Sequence, residues 1–276
     1  MSASDVRQLE GLRFGRAKLA TGPRLHYAEY GRPGGRAILL LHGYSDSWFS
    51  FRPMLPFVPP DVHVLALDHR GHGDSESPPS GYSIPQLAAD AVALLDAKGL
   101  DRATLVGHSL GALVAQQAAV AAPERVERLL LIGTAARTRH LAAMEELRQA
   151  VEALRDPVPI EFIREFQEST LHRSVPPEFL ARVVEESRML TADVWRAVMQ
   201  GILGAEPPAG LAASRIPTWI LWGERDAVFP ASEQEALRAL LPEAVWKLYP
   251  DTGHAVHWEH PEKVARDLES LLNGKA

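Results

Sequence analysis

The chain has 276 residues and a formal net charge of −6, with 46% hydrophobic and 23% charged residues, proportions usual for a globular protein in water. The acidic balance argues against nucleic acid or an anionic membrane surface as the main partner. With no cysteine present, disulfides, thiolate metal sites and a cysteine nucleophile are excluded.

The opening stretch MSASDVRQLEG is polar and mixed in charge, without the apolar core of a signal peptide. No uninterrupted apolar run approaches about 18 residues, so no membrane span is expected and the chain reads as soluble and cytoplasmic. Residues 12–30 read as two strands around the turn Thr21-Gly22-Pro23. Short apolar runs follow, each ending in a turn: AILLLHG (37–43), VHVLALDHRG (62–71), ATLVGHS (103–109) and VERLLLIGT (126–134). Two more come late, at 216–226 and 245–253. Continuous rather than alternating runs are what strands look like when helices cover both faces of a sheet.

Between the strands, helices are expected over 83–98, 110–121, 232–241 and 261–273. Ser83 followed by Gln86 has the spacing of a capping box, and Pro261 suits a first helical position. Alternating strands and helices predict an α/β fold with a mostly parallel eight-stranded sheet. Residues 135–212 break the alternation, with amphipathic helical stretches and no convincing strand. Prolines 157, 159, 176, 177, 207 and 208 divide them into three or four short helices. The expected organisation is a core of 1–134 and 213–276 with a helical cap, or lid, of 135–212. Such an insertion would sit over the carboxyl ends of the strands, where open α/β sheets hold their ligands.

Gly107-His108-Ser109-Leu110-Gly111 lies where a strand gives way to a helix. A serine hydroxyl is a poor nucleophile without a base, and the base needs a third group to orient it. Asp226 closes one late strand and His254 lies just past the next. Strands of a parallel sheet finish on one edge, so Ser109, Asp226 and His254 can meet there. Their chain order is that of a nucleophile elbow. Asp251 and Asp193 rival Asp226, and His257 and His260 rival His254. The spacing of those two histidines suggests a metal pair, yet no third ligand presents itself, and no metal is expected.

The chain resembles the α/β-hydrolase family over nearly its whole length. The matching pieces are HG at 42–43, DHRGHGDS at 68–75, GHSLG at 107–111, GERD at 223–226 and GH at 253–254. The resemblance implies a Ser109–Asp226–His254 triad and an oxyanion hole made by the backbone N–H groups of Leu110 and Tyr44. DHRGHGDS reads as a structural loop in which Gly71 and Gly73 make tight turns while Asp68 and Arg70 tie down backbone. Trp48, Met144, Trp195, Val228 and Val256 are the candidates for the pocket wall.

Relatives that displace halide or open epoxides use aspartate where this chain has Ser109. A serine forms an acyl-enzyme, so the substrate should present an acyl carbon. The leading expectation is a cofactor-free hydrolase acting on small to medium, largely apolar carboxylic esters. A C–C bond hydrolase is the nearest alternative, because GHAVHWEHPE resembles the histidine loop of that subgroup. Ala255, where that subgroup usually has tryptophan, and His108, where it commonly has asparagine, depart from its pattern. A perhydrolase, a lactonase and a slow-turnover small-molecule receptor complete the set.

Overall fold

Most of the apolar runs have no polar face to show to water, and they lie side by side in one sheet. A computed structural model describes residues 9–139, 141–206 and 210–274. The first eight residues and the prolines at 207 and 208 lie outside them. In chain order the elements are β1 (Arg13–Lys18), β2 (Arg24–Gly31), β3 (Arg36–Leu41), β4 (Val62–Leu67), α1 (Ile84–Ala97), β5 (Ala103–His108), α2 (Leu110–Ala121) and β6 (Val126–Ile132). There follow α3 (Ala142–Glu152), α4 (Ile160–Ser169), α5 (Pro177–Ser187) and α6 (Ala192–Leu203). The chain closes with β7 (Thr218–Gly223), α7 (Ala231–Leu240), β8 (Val245–Tyr249), α8 (Val256–Glu259) and α9 (Pro261–Leu272).

The sheet has eight strands in the order β1-β2-β4-β3-β5-β6-β7-β8. Only β2 runs against its neighbours; the strands from β4 to β8 are parallel, as the α/β-hydrolase resemblance implied. Every residue of β4 and β5 is buried. Leu39 and Leu41 of β3 pack on one face with α1 and α2, while Ile38 and Leu40 pack on the other with Val264, Leu268 and Leu271 of α9. Burying one such side chain stabilises the fold by about 2 kcal/mol before chain entropy is subtracted.

The expected helix starts hold, with two differences in how they are made. Ser83 sits at the N-cap of α1, but its side chain makes no capping bond. The first turn is set by Ile84-Pro85, since proline's fixed φ already suits a helix and it has no N–H to satisfy. In the 142–203 region the α3/α4 and α4/α5 breaks carry prolines. The α5/α6 break has none: Thr191 caps α6 by accepting from the Val194 N–H at 3.3 Å.

Asp68 and Arg70 both tie backbone, and Arg70 has a second task. Asp68 accepts from the N–H groups of Trp48 and Asp74. Arg70 ties backbone through the Ser80 carbonyl at 3.4 Å, and it also makes a bidentate ion pair with buried Asp90 of α1, at 2.6 and 2.7 Å. Among the described residues no helix is long and apolar enough to cross a membrane.

Candidate active site

Ser109 stands between the end of β5 and the start of α2 with φ 51° and ψ −114°, a conformation that L-residues rarely adopt. Its N–H donates to the Ile132 carbonyl of β6 and its carbonyl accepts from Ala112 and Leu113, so both sides of the turn are fixed. The flanking glycines make the approach possible. A Cβ on Gly107 would overlap the Gly111 carbonyl, and one on Gly111 would overlap the Leu41 carbonyl of β3.

Asp226 follows β7. One carboxylate oxygen accepts the Val228 and Phe229 N–H groups at 2.8 and 2.9 Å. The other lies 2.8 Å from Nδ1 of His254, which follows β8. An ionised carboxylate only accepts, so the hydrogen of the imidazole is assigned to Nδ1 and Nε2 is left with its lone pair. That Nε2 is buried and, among the described residues, has no hydrogen-bond partner. Ser109 and His254 line one cavity of about 560 Å³, with Tyr44 and Leu110 beside them. No hydrogen bond joins Ser109 to Nε2 here; such bonds often tighten only when substrate is bound.

The rival residues are engaged elsewhere. The Asp251 and Asp193 side chains are 65% and 86% exposed, each facing an arginine. His257 Nε2 meets Ser50 Oγ and His260 Nε2 meets Thr252 Oγ1, both at 2.9 Å. Among the described residues no cluster of three or more His, Asp or Glu could hold a metal ion.

Of the five wall candidates, Met144 and Val228 line the cavity; Trp48, Trp195 and Val256 do not. Trp48 faces a separate cleft with Phe14 and His26 on the β1–β2 side. Trp195 is fully buried against Tyr44, Phe162 and Phe166. Val256 points back into the core on the α9 face of the sheet. The residues that do line the cavity include Leu113, Leu147, Phe162, Phe166 and Phe229, together with Asp46, Gln167 and Thr170. Sequence reasoning missed Asp46 and Gln167; only the position of Asp46, four residues after His42, hinted at either.

His108 lies against His254 and His257 against His108, with centroids 5.0 and 4.4 Å apart and the rings tilted by 51° and 50°. Burial, chiefly, holds His108 and His257 below the usual histidine range. These neighbours therefore stay neutral beside His254 instead of repelling a charge on it.

A family model described as the alpha/beta hydrolase fold matches residues 36–261. The chain belongs to the α/β-hydrolase family. As such it is 24% identical to the uncharacterised hydrolase YugF of Bacillus subtilis, over 91% of this chain and 95% of that one. Among solved α/β-hydrolase-like structures, a thermophilic esterase from Thermogutta terrifontis superposes with a TM-score of 0.83 at 24% identity, covering 95% of this chain and 98% of that one. Est816, described as an N-acyl homoserine lactone degrading enzyme, superposes with a TM-score of 0.78 at 27% identity, covering 93% and 99%. This α/β hydrolase thus has esterases and a lactone-degrading enzyme among its structural neighbours.

Proposed function

We propose that the chain is a serine hydrolase of carboxylic esters, lactones included, acting on small to medium, largely apolar substrates. The observation that carries this reading is the strained Ser109 in one cavity with His254, whose Nε2 is free because Asp226 engages Nδ1. In the proposed cycle Ser109 Oγ attacks the carbonyl carbon while Nε2 of His254 takes its proton. Asp226 stabilises the imidazolium, and the Leu110 and Tyr44 N–H groups receive the oxyanion. His254 then protonates the departing alcohol, and the acyl group stays on Ser109. Water, deprotonated by His254, attacks this acyl-enzyme and releases the acid and the free serine. No metal or organic cofactor enters the scheme.

In the same reading residues 135–212 are a cap over a core of 1–134 and 213–276, and the apolar wall receives the acyl chain. The lactone reading has support of its own. A lactone passes through the same steps with its alcohol still tethered, and Est816 is similar to this chain over nearly all its length.

Hydrolysis of p-nitrophenyl esters of increasing acyl length by the wild type and Ser109→Ala tests the proposal. Turnover by the wild type that disappears in the variant supports it. Equal turnover in both would remove Ser109 as the nucleophile.

A further inference from the structure

The turn that carries the Tyr44 N–H is held by the helices between β6 and β7. After β3 the chain folds through Gly43-Tyr44-Ser45-Asp46, closed by an Asp46 N–H to Gly43 carbonyl bond of 3.3 Å. Ser45 has φ 62°, in the left-handed region that disfavours any residue but glycine. Something outside the turn must therefore maintain it.

Gln167 of α4 is 1% exposed, and its amide nitrogen reaches two residues of the turn, Ser45 Oγ at 3.2 Å and Asp46 Oδ1 at 3.1 Å. It also reaches Ser187 Oγ of α5 at 2.9 Å. The opposite amide orientation would set oxygen against the Asp46 carboxylate, so the nitrogen is assigned to this side. From α6, the Trp195 carbonyl accepts the Tyr44 hydroxyl at 2.6 Å. Two helices of the 142–203 region, α4 and α6, thus bond the turn directly, and α5 braces Gln167 through Ser187. Beneath the turn there is no slack, because a Cβ on Gly43 would press on His108 Nδ1 and Asp46 Oδ2. Apolar packing alone could dock these helices; a buried amide aimed at the turn does something more specific.

We infer that Gln167 is a positioning residue for the oxyanion hole. It holds Ser45 and Asp46 so that the Tyr44 N–H faces the substrate's carbonyl oxygen, and the hole is complete only with the helices docked. Without Gln167, Ser45 relaxes to negative φ, the Tyr44–Ser45 peptide turns with it, and the rotation passes through Tyr44 to the Gly43–Tyr44 peptide that carries the Tyr44 N–H. The inference rests on the Ser109 reading proposed above.

The test compares wild type with Gln167→Leu on p-nitrophenyl butyrate and on an alkyl trifluoromethyl ketone. The ketone forms a hemiketal oxyanion on a reactive serine, so its affinity reports the oxyanion hole. Expected are a kcat lower by roughly 10- to 100-fold, a KM within about twofold, and ketone affinity weakened by the same factor as kcat. Gln167→Met serves as the second variant should Leu prevent folding, and thermal unfolding verifies that each protein is folded. A folded variant that keeps wild-type kcat and ketone affinity, or loses only KM, overturns the inference and leaves the esterase reading intact. Equal turnover by Ser109→Ala, or a ketone that fails to inhibit the wild type, would remove both.

Discussion

Asp226 divides its two oxygens between two tasks: Oδ1 is saturated by the Val228 and Phe229 N–H groups, and Oδ2 alone meets Nδ1 of His254. The division fixes what an amide would do in its place. In Asp226→Asn the amide oxygen stays with the two backbone donors, which turns the NH2 group towards His254. That NH2 donates to Nδ1, the ring hydrogen moves to Nε2, and the base is lost. We expect kcat for ester hydrolysis to fall on the order of 10⁴-fold while the thermal midpoint stays within a few degrees. A variant retaining a tenth of wild-type kcat would show that His254 does not depend on Asp226 for its tautomer.

Gly111→Ala should damage the fold itself. The added methyl group meets the Leu41 carbonyl, a backbone atom in the middle of the sheet that cannot swing aside. The expected loss is roughly 2–4 kcal/mol, seen as a thermal midpoint lower by several degrees. An unchanged midpoint would mean that the contact between α2 and β3 has room to open.

Acid should destabilise the protein early. His42, His69 and His72 are buried with their rings together, and burial, chiefly, lowers all three, His69 to about 3. Nε2 of His42 accepts the His69 N–H while Nδ1 meets the Gly43 carbonyl, an arrangement open only to the neutral ring. Below about pH 6.5 the unfolded chain binds protons that the folded one refuses, so stability is full above that pH and falls as pH drops towards the folded values. Glu186, raised by burial, acts in the opposite sense as a single carboxyl against several histidines. Urea unfolding at pH 7.5, 6 and 5 should show stability falling by at least ~1.4 kcal/mol per pH unit across the lower interval. A flat profile there would contradict this.

Removing Arg70 should cost far more than removing a surface arginine. Asp90 is 0% exposed and, among the described residues, would keep only the Thr21 hydroxyl as a partner. Arg70→Met is expected to destabilise by roughly 3–5 kcal/mol, and Arg70→Met with Asp90→Leu to recover much of that. Arg148 on α3 pairs with Glu145 and Glu152 at the surface, and Arg148→Met should leave the denaturation midpoint nearly unchanged. If both arginines behaved alike, the Arg70–Asp90 pair would not be the strut that burial makes it.

The sequence by itself determined the sheet, the crossovers and the strand ends that carry Ser109, Asp226 and His254. The reason is local: an apolar run closed by a turn can be read without knowing its neighbours. Parallel strands then bring their ends to one edge whatever the rest of the chain does. The elbow was legible too, since glycines at 107 and 111 leave space that only a close backbone contact would use. Tertiary structure decided which side chains of the four helices α3–α6 turn inward. Trp195 and Phe166 are equally apolar in the sequence, yet Trp195 is sealed against Tyr44 while Phe166 reaches the cavity. Gln167 gave no signal, because a glutamine on an amphipathic helix ordinarily faces water. It is buried because helix crossings set by side chains far apart in the chain put it over Ser45 and Asp46. No local pattern encodes such a crossing.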